Sequence, residues 1–177
     1  MQTRNLLSAF VLTSLLSPLA LAADDGDLGA TSTGEINVDL EVTDSVEISA
    51  LNDIDFGTYG GGDTGNINAG DGFCVYVNGG DGYTITPTSS NGSFSLSGSS
   101  FGDEIDYAVK LVGAATGADA ADAVSYNSAS ETFQGNVARD CGSADNAALD
   151  VSIEEDEIRA AATDTYSDTL ILLVNPI

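Results

Sequence analysis

The chain offers many carboxylates, one pair of cysteines and no imidazole, and that inventory limits the chemistry open to it. With 28 acidic residues and no histidine, Ser-His-Asp and Cys-His nucleophile arrangements are impossible. A carboxylate pair for glycoside hydrolysis is available by number alone. Only Asp55, in the stretch DIDFG, sits among apolar neighbours that would raise a carboxyl pKa, and the same residue reads equally as a turn or strand-end carboxylate. Asp63, Asp71 and Asp81 lie among glycines, where they could hold a weak calcium ion or simply form turns. No complete EF-hand loop is present, and two isolated cysteines without histidine cannot fill a zinc shell. No catalytic residue, metal site or cofactor is assigned, and the chain reads as a non-enzyme.

Residues 1–22 carry the marks of a signal peptide. Arg4 gives a positive start, an apolar run follows, and Ala20-Leu21-Ala22 fits a small-x-small cleavage site. The run is broken by Ser and Pro and is short for a spanning helix; an uncleaved anchor is the alternative. No later segment is long enough to span. Removing 1–22 takes away one Arg and no acid, which leaves three basic side chains against 28 acidic ones. This charge argues strongly against nucleic acid or anionic membrane as partner, because both need basic patches. The acid suits either a calcium-rich surface or plain solubility in salt. In an exported chain the even count of Cys74 and Cys141 predicts one intramolecular disulfide, with free thiols or interchain bridges as the other arrangements. The chain-entropy model gives such a bridge about 4 kcal/mol.

Gly, Ser, Thr, Asp and Asn dominate the mature chain, with β-branched and aromatic residues between them, which is an all-β composition. Residues 23–33 read as a mobile polar leader. The stretch 34–50 predicts one long strand or two short ones, and LNDIDFGTY another. GGGDTGNINAGDG reads as a loop. GFCVYVN and GYTITPT are strands joined at Asn78-Gly79-Gly80-Asp81, whose residues accept positive φ and so predict a hairpin turn. SFSLSG follows. EIDYAVKLV alternates Ile105, Tyr107, Val109 and Leu111 on one face. Residues 113–131 read as a long loop with helical or strand fragments as the alternative, AALDVSI as a strand, and EEDEIRAAA as one or two helical turns. Seven or eight strands result, at sandwich-like spacing.

The strongest single pattern follows the leader. In TGEINVDLEV, Ile36, Val38, Leu40 and Val42 share one face, and Glu35, Asn37, Asp39 and Glu41 the other. The closing stretch YSDTLILLVNPI is a second strong strand. An apolar edge of this kind must be covered by something.

Taken in order, TGEINVDLEVTDSVEIS, LNDIDFGTY, EIDYAVKL and TYSDTLILLVN resemble the pilin subunits of the chaperone–usher pathway, most closely the archaic type that includes the spore coat protein U domain. The resemblance spans most of 30–177. It implies an immunoglobulin-like, incomplete β-sandwich over 34–177, with an apolar groove where the last strand is missing. It implies donor positions Ile36, Val38, Leu40 and Val42 in a donor strand 34–42, and a groove-edge strand of Thr169, Leu170, Ile171, Leu172, Leu173 and Val174. It further implies a secreted surface fibre, pilus- or fimbria-like, with a role in adhesion or biofilm. The partners would be other copies of the chain, a periplasmic chaperone and an outer-membrane usher. The chain departs from the family pattern at Ser45-Val46, where a cysteine is common, and at Asp164, which stands for the Gly of the closing G-x-Y-x-D motif. The competing reading is a monomeric extracellular β-sandwich that binds glycan or calcium, with 34–42 as its own first strand.

Overall fold

The computed structural model describes residues 23–113 and 120–177. The signal-peptide expectation for 1–22 and part of the loop expected at 113–131 lie outside the described residues. The chain divides into two units, one ending at Val42 and one running from Thr43 to Ile177.

In the first unit, the leader is closed by a bridge: Asp24 N–H donates to Glu35 O (3.0 Å) and Glu35 N–H to Asp24 O (2.9 Å). Residues 36–42 belong to no strand. Their four aliphatic side chains are 80, 90, 87 and 73% exposed at Ile36, Val38, Leu40 and Val42.

The second unit is nearly all β. Strand β1 (Val46–Ser49) pairs antiparallel with β2 (Ile67–Val77), β2 with β9 (Ala147–Ile153), β9 with β6 (Ala108–Gly113), and β6 with β7 (Ala120–Val124). A second layer holds β3 (Gly82–Ser89) between β8 (Phe133–Gln134) and β11 (Leu170–Pro176). A small ribbon joins β10 (Tyr166–Ser167), β4 (Ser95–Gly98) and β5 (Glu104–Asp106). The one described α-helix, α1 (Glu155–Ala160), carries three acids in its first turn and Arg159 in its last, which suits the helix dipole.

The order β1-β2-β9-β6 is the A-B-E-D sheet of an immunoglobulin-type sandwich, and the pair β3–β11 takes positions C and F. Among the described residues, the place of the seventh strand, beside the outer edge of β11, holds no strand.

The core follows from strand alternation. Phe73, Val75 and Val77 of β2, Val109 and Leu111 of β6, and Leu149, Val151 and Ile153 of β9 pack against Tyr83 and Ile85 of β3 and Phe133 of β8. Ile105, Tyr107, Val109 and Leu111 are all buried, but the stretch EIDYAVKLV, expected as one strand, is divided at Tyr107 between β5 and β6, which lie in different sheets.

Several sequence expectations need correction. Asn78–Asp81 is not a hairpin turn, because β2 and β3 lie in different sheets and the segment carries the chain across the sandwich. Gly79 and Gly80 do adopt positive φ (84° and 73°), but to turn a corner between layers. The glycine-rich stretch expected as a loop up to Gly72 contributes half of β2, from Ile67 onward. Gly70 and Gly72 sit there because a Cβ at either would meet Asp150 or Asp145. LNDIDFGTY forms no strand, since nothing lies beside it to complete a ladder. Eleven short strands are described rather than seven or eight.

Candidate functional site

An apolar groove of about 970 Å³ runs along the unfilled position. Its floor is the inward face of β9, with Leu149, Val151 and Ile153, extended by Leu96, Ile105 and Tyr107. One wall is β11, through Leu170 and Leu172. The other is the segment Leu51–Tyr59, through Ile54 and Phe56, which are half-buried against the core. Ile158 and Ala161 also line it.

Both walls present unused backbone. β11 bonds only to β3 on its inner side. Residues 53–59 make no main-chain hydrogen bond to another segment among the described residues. A groove with a greasy floor and two unpaired edges suits a β-strand, because an added strand supplies main-chain partners and alternate side chains together.

Of the expected groove-edge residues, Thr169, Leu170 and Leu172 line the groove. Leu170, Leu172 and Val174 are half-buried, Ile171 and Leu173 are exposed, and Thr169 immediately precedes the strand. The expected donor residues Ile36, Val38, Leu40 and Val42 lie in the first unit, exposed and without a strand partner.

A polar knot closes one end of the groove. Asp168 accepts hydrogen bonds from Ser89 Oγ (2.5 Å), Tyr107 Oη (2.6 Å), Ser90 Oγ (2.9 Å) and its neighbour Thr169 N–H (2.7 Å). Partial burial works against its charge, yet the donated hydrogen bonds outweigh that and hold the carboxyl below its ordinary range. Burial, with Asp168 as acceptor, pushes the Tyr107 phenol well above its usual value.

Asp164 gathers the turn after β4. It accepts from Ser100 N–H (2.7 Å), Ser99 Oγ (2.7 Å), Ser100 Oγ (3.0 Å) and Thr165 N–H (2.8 Å). Those bonds, with the Ser100 amide foremost, hold its carboxyl far below the ordinary range.

The other acids singled out from sequence have local duties. Asp55 lines the groove and accepts from Gly57 N–H (2.8 Å). Asp63 caps a turn at Gly60 N–H (2.6 Å). Asp71 lies inside β2 rather than in a loop, and receives both Asn52 N–H (2.7 Å) and Asn52 Nδ2 (3.0 Å).

Cys74 and Cys141 form a disulfide, with Cα atoms 5.8 Å apart. It ties β2 to the short turn before β9. Asn146 reinforces that tie by accepting Val75 N–H (2.8 Å) and donating to Val75 O (2.9 Å), so its amide stands in for a strand residue. Ile54, Phe56, Tyr107, Asp168 and Asn146 were not singled out for these roles from sequence. The DIDF alternation was the one visible signal for the first two.

No family model matches the chain, and no curated protein matches it. Its fold is similar to that of a chain in a solved chaperone–tip adhesin complex of CFA/I fimbriae biogenesis, with a TM-score of 0.53 and 14% sequence identity. The match covers 75% of this chain and 41% of that one, so this chain spans about two fifths of the matched chain's length. At this identity the likeness is one of fold: an all-β sandwich of the kind found in a fimbrial assembly complex. Among the described residues no helix is long and apolar enough to cross a membrane.

Proposed function

We propose that the chain is a structural, non-enzymatic subunit of a secreted surface fibre, built by donor-strand exchange, and that it is of the archaic chaperone–usher, spore coat protein U type. The observation that carries this reading is the apolar groove between two unpaired edges, in a chain that also bears an exposed alternating aliphatic stretch. Ile36, Val38, Leu40 and Val42 of one copy enter the groove of the next, beside Thr169–Val174, while Asp39 and Glu41 stay in water. Burying four aliphatics contributes roughly 6–12 kcal/mol before ordering costs. The contact is head-to-tail and does not close on itself, so it propagates as a filament.

Before assembly the groove is an aggregation hazard, which calls for a periplasmic chaperone to cover it and an outer-membrane usher to exchange the cover. The disulfide supports an oxidising compartment. A surface fibre of this kind serves adhesion or biofilm formation.

Sedimentation of the mature chain and of a form lacking 23–42 tests the reading. The full chain should form polymers that resist denaturant, and the shortened form should fold but never extend. A full chain that stays monomeric at high concentration, after refolding without a chaperone, refutes it.

A further inference from the structure

The corner at Asn78 does more than turn the chain. Its side chain reaches back to the start of the second unit: Nδ2 donates to Thr43 O (2.7 Å), and Oδ1 accepts Ser45 N–H (2.8 Å). Its own N–H donates to Ser45 O (3.1 Å). Three hydrogen bonds from one residue thus fasten the chain just after Val42, where the first unit ends. Strand β1 begins only at Val46.

We propose that Asn78 is a positioning residue that sets the geometry of the fibre by removing slack between successive subunits. The inference rests on the strand-exchange reading. Val42 is the last aliphatic of the donor stretch and would be held in the neighbour's groove. Thr43, the next residue, is held on its own domain by the Asn78 amide. No free residue then separates the two anchor points. Without the Asn78 side chain, the chain is first fastened at Ser45 O by the main-chain bond that remains. Thr43 and Asp44 are released, and two residues add up to about 7 Å of reach. A joint with that much play lets neighbouring subunits rotate against one another, whereas a joint with none fixes their angle.

The experiment uses fibres assembled from the mature chain, compared with Asn78→Ala and with a chain carrying two glycines inserted between Val42 and Thr43. Electron microscopy reads subunit spacing and bending persistence. Calorimetry reads the capping of each protein's groove by a synthetic 34–44 peptide. Both variants should bind the peptide as the natural chain does, yet give fibres with persistence length reduced at least about twofold, as a flexible joint requires. Should Asn78→Ala fail to fold, the insertion still decides, because it adds slack without touching Asn78. Insertion fibres as stiff and as evenly spaced as natural ones overturn the proposal and leave strand exchange standing. Absence of both peptide binding and fibres in the natural chain overturns strand exchange and this inference with it.

Discussion

Replacing Leu40 with Asp separates a strand that acts between molecules from one that belongs to its own domain. In the free chain Leu40 is 87% exposed, so the substitution removes almost no burial and should leave the melting temperature of the Thr43–Ile177 unit unchanged. In the groove the same side chain would lie over an apolar floor. Losing a buried leucine costs about 1.5–3 kcal/mol. Placing a carboxylate there without a partner costs at least a further 2 or so. The sum, about 3.5–5 kcal/mol, is a loss of affinity of roughly 300- to 4,000-fold at 1.4 kcal/mol per decade. Titrating a 34–44 peptide, natural or Leu40→Asp, into protein lacking 23–42 measures that difference directly. Sedimentation of full-length natural and Leu40→Asp chains measures its consequence. Asp39→Asn, on the opposite face, is the control and should assemble normally. Unchanged peptide affinity with Leu40→Asp refutes the assignment of the donor face. A large drop in the melting temperature of monomeric Leu40→Asp refutes the exchange model, because it shows that the strand packs within its own chain.

Non-reducing mass mapping should recover a single Cys74–Cys141 peptide pair, and reduction should lower stability by about 4 kcal/mol in denaturant titrations. The depressed carboxyl of Asp168 stabilises the fold fully above the ordinary carboxylate pKa of about 3.9, and that contribution should fade as pH falls below it through the folded value. In Asp168→Asn, melting curves across this acid range should lose part of their pH dependence. An unaltered acid limb would show that the knot at the groove end carries no linkage.

How much of this was legible beforehand depends on the range of the interaction. Strands β6 and β9 and the inward set Ile105, Tyr107, Val109 and Leu111 could be read from sequence, because a period of two is a local property of a half-buried strand. The edge strand at 170–176 was legible for the same reason, whereas the like alternation at 36–42 is exposed and forms no strand. The disulfide followed from parity and export. Pairing was not legible. The Asn-Gly-Gly-Asp stretch carries the residues of a hairpin turn, yet the strands it joins belong to opposite sheets, a choice made by which partners bury Val75 and Ile85 best. Ile67–Gly72 reads as loop because its glycines have low strand propensity; the Leu149 carbonyl of the paired strand β9 requires Gly70 to be small. LNDIDFGTY has strand alternation but lines a groove with no neighbour to bond. Asp164 and Asp168 act on serines 60 to 80 positions away, and Asn78 on a backbone more than 30 residues upstream. Sequence by itself determined the class, the faces and the covalent cross-link of this protein. The open position beside β11, expected only through the family resemblance, was decided among the described residues by the tertiary structure, because a missing neighbour is a property of the sheet and not of any strand within it.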